Sequence, residues 1–192
     1  MRESVTTPVG VAKYCWLSKP DTAFNSENWK VSLVLSKDAA KPLISKIEKV
    51  RKAWVTEQKQ QNKKVKEAPP PYKPDVDENG DPTGHMVFPF SSKVSVKPRI
   101  PMFDAKGKPM KNAEVWNGSQ MKVNGLLFPY VAANGVGISL KLNAVQILEL
   151  VTGGKGSAGG FGFEEEEGYE HADEEGFEEN EAEEDIDSEG DF

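Results

Sequence analysis

Gln120-Met121-Lys122-Val123-Asn124-Gly125-Leu126-Leu127-Phe128-Pro129-Tyr130-Val131, followed beyond Ala133-Asn134-Gly135 by Val136-Gly137-Ile138-Ser139-Leu140-Lys141-Leu142, decides the fold class. A period of two sets Lys122, Asn124, Leu126, Phe128 and Tyr130 on one side of the first run and Met121, Val123 and Leu127 on the other, as in a half-buried strand. The second run alternates Ile138, Leu140 and Leu142 with Ser139, Lys141 and Asn143. It then turns almost wholly apolar toward Val151, as expected where both faces are covered. The Ala-Asn-Gly connection is suited to a tight hairpin.

Outward from this hairpin the same pattern recurs. Trp29, Val31, Leu33 and Leu35 face one way and Lys30 and Ser32 the other, which predicts a second strand. Val9 to Leu17 reads as a strand closed by the turn Ser18-Lys19-Pro20-Asp21. Met86–Phe90 and Lys93–Ile100 read as strands, with Pro89 arguing for an edge or a bulge. Between Asp38 and about Lys64 the period changes: Leu43, Ile47, Val50 and Trp54 form one helical stripe, with Asp38 as a candidate N-cap. The Pro-rich run from Ala68 to Pro74 ends the helix, and an acidic loop continues to Gly84. The sum is mainly β: five or six strands with one helix between the second and third, as a small, partly open barrel or a small sandwich.

The 192 residues carry a net charge of −7, but the two signs are segregated. Met1 to Thr152 holds 23 Lys or Arg against 14 Asp or Glu, a balance of +9, whereas Gly153 to Phe192 holds 17 acids against Lys155, a balance of −16. Residues 153–160 are a Gly-rich linker by composition. Residues 161–192 have too much like charge and too few apolar groups to build a core, so disorder is expected there. Phe161, Phe163, Tyr169 and Phe177 interrupt the acid run, and the chain ends Asp191-Phe192.

The order of these elements resembles the single-stranded DNA-binding proteins of phage T7-type replication systems. The resemblance rests on Trp29 to Leu33, a helix, the Gly turn in Asp104 to Lys108, Gly118 to Val123, Leu127-Phe128-Pro129-Tyr130, Val136 to Leu142, Leu148-Glu149-Leu150 and the acidic tail. It implies an OB-fold barrel over residues 1–152, with residues 67–84 as an inserted loop. It further implies a homodimer, action in phage DNA replication and recombination in the cytoplasm of the infected bacterium, and a tail that recruits the replicative DNA polymerase and the primase-helicase. The partner-binding tail residues are then Asp187, Glu189, Asp191 and Phe192, and the family's base-stacking tyrosine falls on Tyr130. The chain departs from the family pattern at Ala132, where the family has a second aromatic, and at Phe88-Pro89-Phe90-Ser91, where it has an aromatic strand that carries a lysine.

Binding a single strand without regard to sequence needs cations for phosphates and flat side chains for unpaired bases. The candidates are Tyr130, Phe128 and Lys122 on the hairpin, Lys141 opposite, Lys13, Tyr14 and Trp16 on the first strand, and the alternating Lys93, Lys97 and Arg99. The −16 tail is also a tethered competitor for the same basic groove. No catalytic constellation is evident: His85 and His171 fall in loop or tail, no glycine motif follows a strand, and no metal-ligand spacing occurs. No cofactor is expected. Lone Cys15 precludes a disulfide within the chain, and no run reaches the ~18 apolar residues of a membrane span. An acidic-tailed chaperone for basic clients and a binder of double-stranded DNA are the rival functions.

Overall fold

The alternation around Val31 forms the strand it predicts. The computed structural model describes residues 3–23, 26–61, 64–111 and 113–151, all within a unit spanning residues 1–155. In chain order the strands are β1 (Glu3–Thr6), β2 (Gly10–Asp21) and β3 (Asn28–Ser36). The helix α1 (Lys37–Gln61) follows, then β4 (Lys73–Val76), β5 (Pro82–Lys93), β6 (Met102–Phe103), β7 (Gln120–Ala132) and β8 (Gly135–Glu149).

Five of these strands close a ring. β2 pairs with β3, β3 with β5, β7 with both β2 and β8, all antiparallel, and a parallel contact at Ser91 and Lys141 joins β5 to β8. This is an OB-like barrel with its helix between the second and third ring strands, as expected. β1, β4 and β6 are additions that pair with β7, β5 and β8.

Trp29, Val31, Leu33 and Leu35 of β3, Phe88 and Phe90 of β5 and Met121, Val123 and Leu127 of β7 point inward and are buried. Burying each such side chain stabilises the fold by about 1.5–3 kcal/mol. Ala40, Leu43, Ile47 and Val50 of α1 pack into the same core, so the helix plugs the barrel through the stripe its period requires. Gly125 leaves space for Phe90: a Cβ there would lie 2.6 Å from the ring.

Several expectations are corrected. Lys93–Ile100 is not a strand: β5 stops at Lys93, whose carbonyl accepts hydrogen bonds from the amides of Val96 and Lys97 (3.1 and 2.9 Å), and Pro98 and Pro101 keep the next residues from rejoining a ladder. The N-cap is Ser36, whose Oγ accepts from the amide of Ala39 at 3.3 Å, and Asp38 lies two residues on, within the first turn. Pro89 occupies neither an edge strand nor a bulge. It falls between Val87, which pairs with β4, and Ser91, which pairs with β8, so its missing N–H coincides with the change of neighbour. Within the 67–84 insertion, β4 and the start of β5 form a hairpin whose turn holds Gly80 at φ 89°. The linker 153–160 and the tail 161–192, with Asp187, Glu189, Asp191 and Phe192, lie outside the described residues. Among the described residues no helix is long and apolar enough to cross a membrane.

Candidate nucleic-acid interface

The outer side of the barrel is built by register. Trp16 on β2 lies opposite Lys30 on β3, Lys30 opposite Ser91 on β5, Ser91 opposite Lys141 on β8, and Lys141 opposite Leu126 on β7. This row crosses all five ring strands with a ring at one end and cations between. The neighbouring rows add Lys13, opposite Ser32, and Lys93, opposite Asn28. Two of the cations already hold carboxylates: Lys13 meets Asp75 at 2.7 Å and Lys30 meets Asp21 at 2.5 Å. Those contacts hold both aspartate carboxyls below the usual carboxylate range, the lysine hydrogen bond being the first cause in each case.

One irregularity aims the row. From Lys13 to Trp16, β2 spends three residues where β3 spends two, from Ser32 to Lys30. Tyr14 absorbs the surplus with φ 49°, a left-handed conformation that costs a tyrosine roughly 1–2 kcal/mol. Without this bulge Trp16 would point into the barrel.

The β7–β8 side carries a second line of groups. The Lys141 ammonium lies 5.7 Å from the centroid of the Phe128 ring, a cation–π contact. Asn143 is the extra residue of a bulge in β8; its amide donates to Asn124 Oδ1 at 2.7 Å and its Oδ1 accepts from Lys97 Nζ at 2.5 Å. Burial pushes the Lys97 ammonium pKa down. At one end of β7, Lys122 lines a recess of about 230 Å³ with Phe103, Gly107 and Gln146. At the other end the Tyr130 ring lies against Gly137, where a Cβ would come within 2.9 Å of its hydroxyl, and the Tyr130 carbonyl accepts from Trp54 Nε1 at 3.3 Å.

A cleft of about 370 Å³ opens beside the second half of β2, lined by Tyr14, Cys15, Trp16, Lys19, Glu114 and Trp116 among others. An adjoining recess of about 350 Å³ shares Ser18, Lys19 and Glu114 and adds Arg99 and Trp29.

Compared with known proteins, residues 9–150 match the sequence profile of the family described as "Single-stranded DNA-binding protein, Bacteriophage T7". The chain belongs to this family. Among solved structures, gp2.5, described as a single-stranded DNA-binding protein encoded by bacteriophage T7, is similar with a TM-score of 0.65 at 25% identity, over 90% of this chain and 100% of that one. The single-stranded DNA-binding protein from bacteriophage Enc34, in complex with ssDNA, is similar in fold, with a TM-score of 0.61 at 17% identity over 76% of this chain and 86% of that one. No curated protein sequence matches the chain.

Within this T7-type barrel the residues anticipated from sequence divide into groups. Lys13, Trp16, Lys93 and Lys141 share the outer rows of adjoining strands. Phe128 joins them through Lys141, and Lys97 through Asn143. Tyr14 lies in the cleft with Trp16, and Arg99 in the adjoining recess. Lys122 and Tyr130 stand toward opposite ends of β7 and do not meet. Lys93, Lys97 and Arg99 lie on no common strand face, because the run turns after Lys93. Sequence reasoning missed Lys30 and Trp116. Lys30 was legible, since it occupies the polar side of the β3 alternation next to the row. For Trp116 the signal was a lone tryptophan in Ala113-Glu114-Val115-Trp116-Asn117-Gly118, a stretch with no apolar period to bury it.

Proposed function

We propose that residues 1–152 bind single-stranded DNA without sequence preference across the outer rows of the barrel, in phage DNA replication and recombination within the infected bacterial cytoplasm. The observation that carries this reading is the cross-strand row from Trp16 through Lys30 and Ser91 to Lys141. A stackable ring and spaced ammonium groups on one continuous surface are what a flexible strand of unpaired bases and phosphates requires. The face also matches the side of an OB barrel, around its second and third strands, that carries oligonucleotides in that fold. The ion pairs of Lys13 and Lys30 leave both ammonium groups open to phosphate, because the lysine side chains stay 41% and 38% exposed while it is their carboxylate partners that are largely buried.

In this proposal Phe128, Tyr130 and Lys122 extend the bound path along β7, and Lys93, Lys97 and Arg99 flank it. The tail 161–192, on its linker 153–160, competes for the basic rows and, once displaced by DNA, recruits the polymerase and primase-helicase through Asp187, Glu189, Asp191 and Phe192. The protein acts as a homodimer and as a binder, not an enzyme. The test is quenching of tryptophan fluorescence by oligo-dT and by duplex DNA of equal length at several salt concentrations. Quenching by the single strand in preference to duplex is expected, with log K falling linearly in log salt at a slope of about −0.7 per neutralised phosphate. Duplex bound as tightly as oligo-dT, or binding indifferent to salt, sinks the proposal.

A further inference from the structure

Among the described residues three aromatic side chains are exposed, Tyr14 (70%), Trp116 (50%) and Trp16 (44%), and all three line the one cleft beside β2. Scattered apolar residues on a surface need no explanation, but every exposed aromatic ring gathered into a single concavity does. At about 370 Å³ the cleft falls within the range of ~300–1,000 Å³ typical of small-ligand sites.

The cleft is also held open by construction. β7 pairs with β2 only at Gly10 and Val11, and past Ala12 the strand's neighbour is the segment 113–119. That segment is tied on by side chains: Asn117 Oδ1 accepts from the Cys15 amide at 2.8 Å, and Ser18 Oγ accepts from the Val115 amide at 2.8 Å. The Trp116 amide donates to the Val151 carbonyl at 3.0 Å, so its backbone is fixed on the far side as well. On the β2 side of the cleft, Tyr14 keeps the left-handed backbone that costs stability. Strain held at one wall of a ring-lined concavity fits a site selected for what it binds.

We infer that this cleft takes an unstacked base of the bound strand, with Trp116 as a stacking residue facing Tyr14 and Trp16. The inference rests on the DNA-binding function proposed above and deepens it. Trp16 belongs both to the cleft and to the cross-strand row, so a strand lying along Lys30 and Lys141 arrives at the cleft mouth, where Lys19 stands for the adjoining phosphate. A flat, neutral, aromatic occupant suits walls of indole and phenol better than a phosphate does.

The test uses the full chain with oligo-dT as probe, comparing wild type with Trp116→Ala and Trp116→Phe. Trp116→Ala should weaken binding roughly ten-fold, with the slope of log K against log salt unchanged, because stacking releases no counterions. Trp116→Phe should restore most of the loss. Cys15, the only cysteine in the chain, also lines the cleft, with its thiol pushed up to about 11 by burial, and serves as a second reporter. Its slow alkylation at pH 8.5 should become slower still with saturating oligo-dT. Tight oligo-dT binding with Trp116→Ala unaffected and Cys15 alkylation unprotected overturns the inference and leaves the DNA-binding function standing. Failure of the wild type to bind oligo-dT removes both.

Discussion

Lys13 and Asp75 show how single residues set the charge available on the outer rows. Asp75 is nearly buried; it accepts from Lys13 at 2.7 Å and from the Thr83 hydroxyl at 2.9 Å, and its carboxyl is held below the usual range by the Lys13 contact first. The folded protein therefore keeps this group ionised to lower pH than the unfolded chain does. Its stabilising contribution is complete above the unfolded value of ~3.9 and disappears as pH falls through the depressed folded value. Asp75→Asn should lower stability at pH 7 by about 1–3 kcal/mol, because a buried, charge-assisted hydrogen bond is weakened. The gap to wild type should narrow below about pH 4, as read by urea denaturation at pH 7 and pH 3. The same variant leaves no freed carboxylate to take up a cation when Lys13 turns to phosphate, so the salt dependence of oligo-dT binding should steepen by about 0.7 in slope. A gap that persists unchanged at pH 3 would show that the carboxylate's charge is not what matters.

At the scale of elements, what could be read from sequence was what periodicity writes. β3, β7, β8 and α1 carry apolar groups at period 2 or 3.6, and Val31, Leu127, Leu140 and Ile47 are buried where those periods place them. β1 and β4 are four residues each and bury one side chain each, Val5 and Asp75, and they exist because β7 and β5 offer edges to pair with, which no local pattern records. The candidate site was legible in its rings and cations but not in its assembly. The bulge at Tyr14 inverts the facing of Trp16 relative to simple alternation, and the 113–119 segment is positioned by contacts about 100 residues distant in sequence. That segment carries its own prediction. Asn117→Ala removes the acceptor for the Cys15 amide, a contact on an exposed edge where water can substitute, so global stability should fall by only about 0.5–1.5 kcal/mol. Local opening should rise more: amide hydrogen exchange at residues 13–18 and 113–119 should accelerate several-fold while α1 and β3 keep their protection. Acceleration spread evenly over the barrel would mean that the segment is part of the global folding unit rather than a strap laid on it.

For the molecule as a whole, the governing quantity is the separation of a +9 body from a −16 terminus. If the acidic segment competes for the outer rows as proposed, a Gly-rich tether of this composition gives it an effective concentration there of the order of millimolar. Under that proposal it is displaced, wholly or in part, when those rows meet phosphate. Each displaced carboxylate reduces the net number of counterions that DNA binding releases. The intact chain should therefore show both weaker binding at low salt and a shallower dependence of log K on log salt than a chain lacking residues 153–192. Salt screens the tail from the body as well as the DNA, with a Debye length of ~10 Å at 0.1 M falling to ~3 Å at 1 M, so the two titrations should converge as ionic strength rises. Parallel curves offset by a constant factor would point to a steric effect of the tail, since excluded volume does not respond to salt. Coincident curves at every salt concentration would mean that the acid segment never occupies the basic rows, and the proposed coupling of DNA binding to partner recruitment would fall with it.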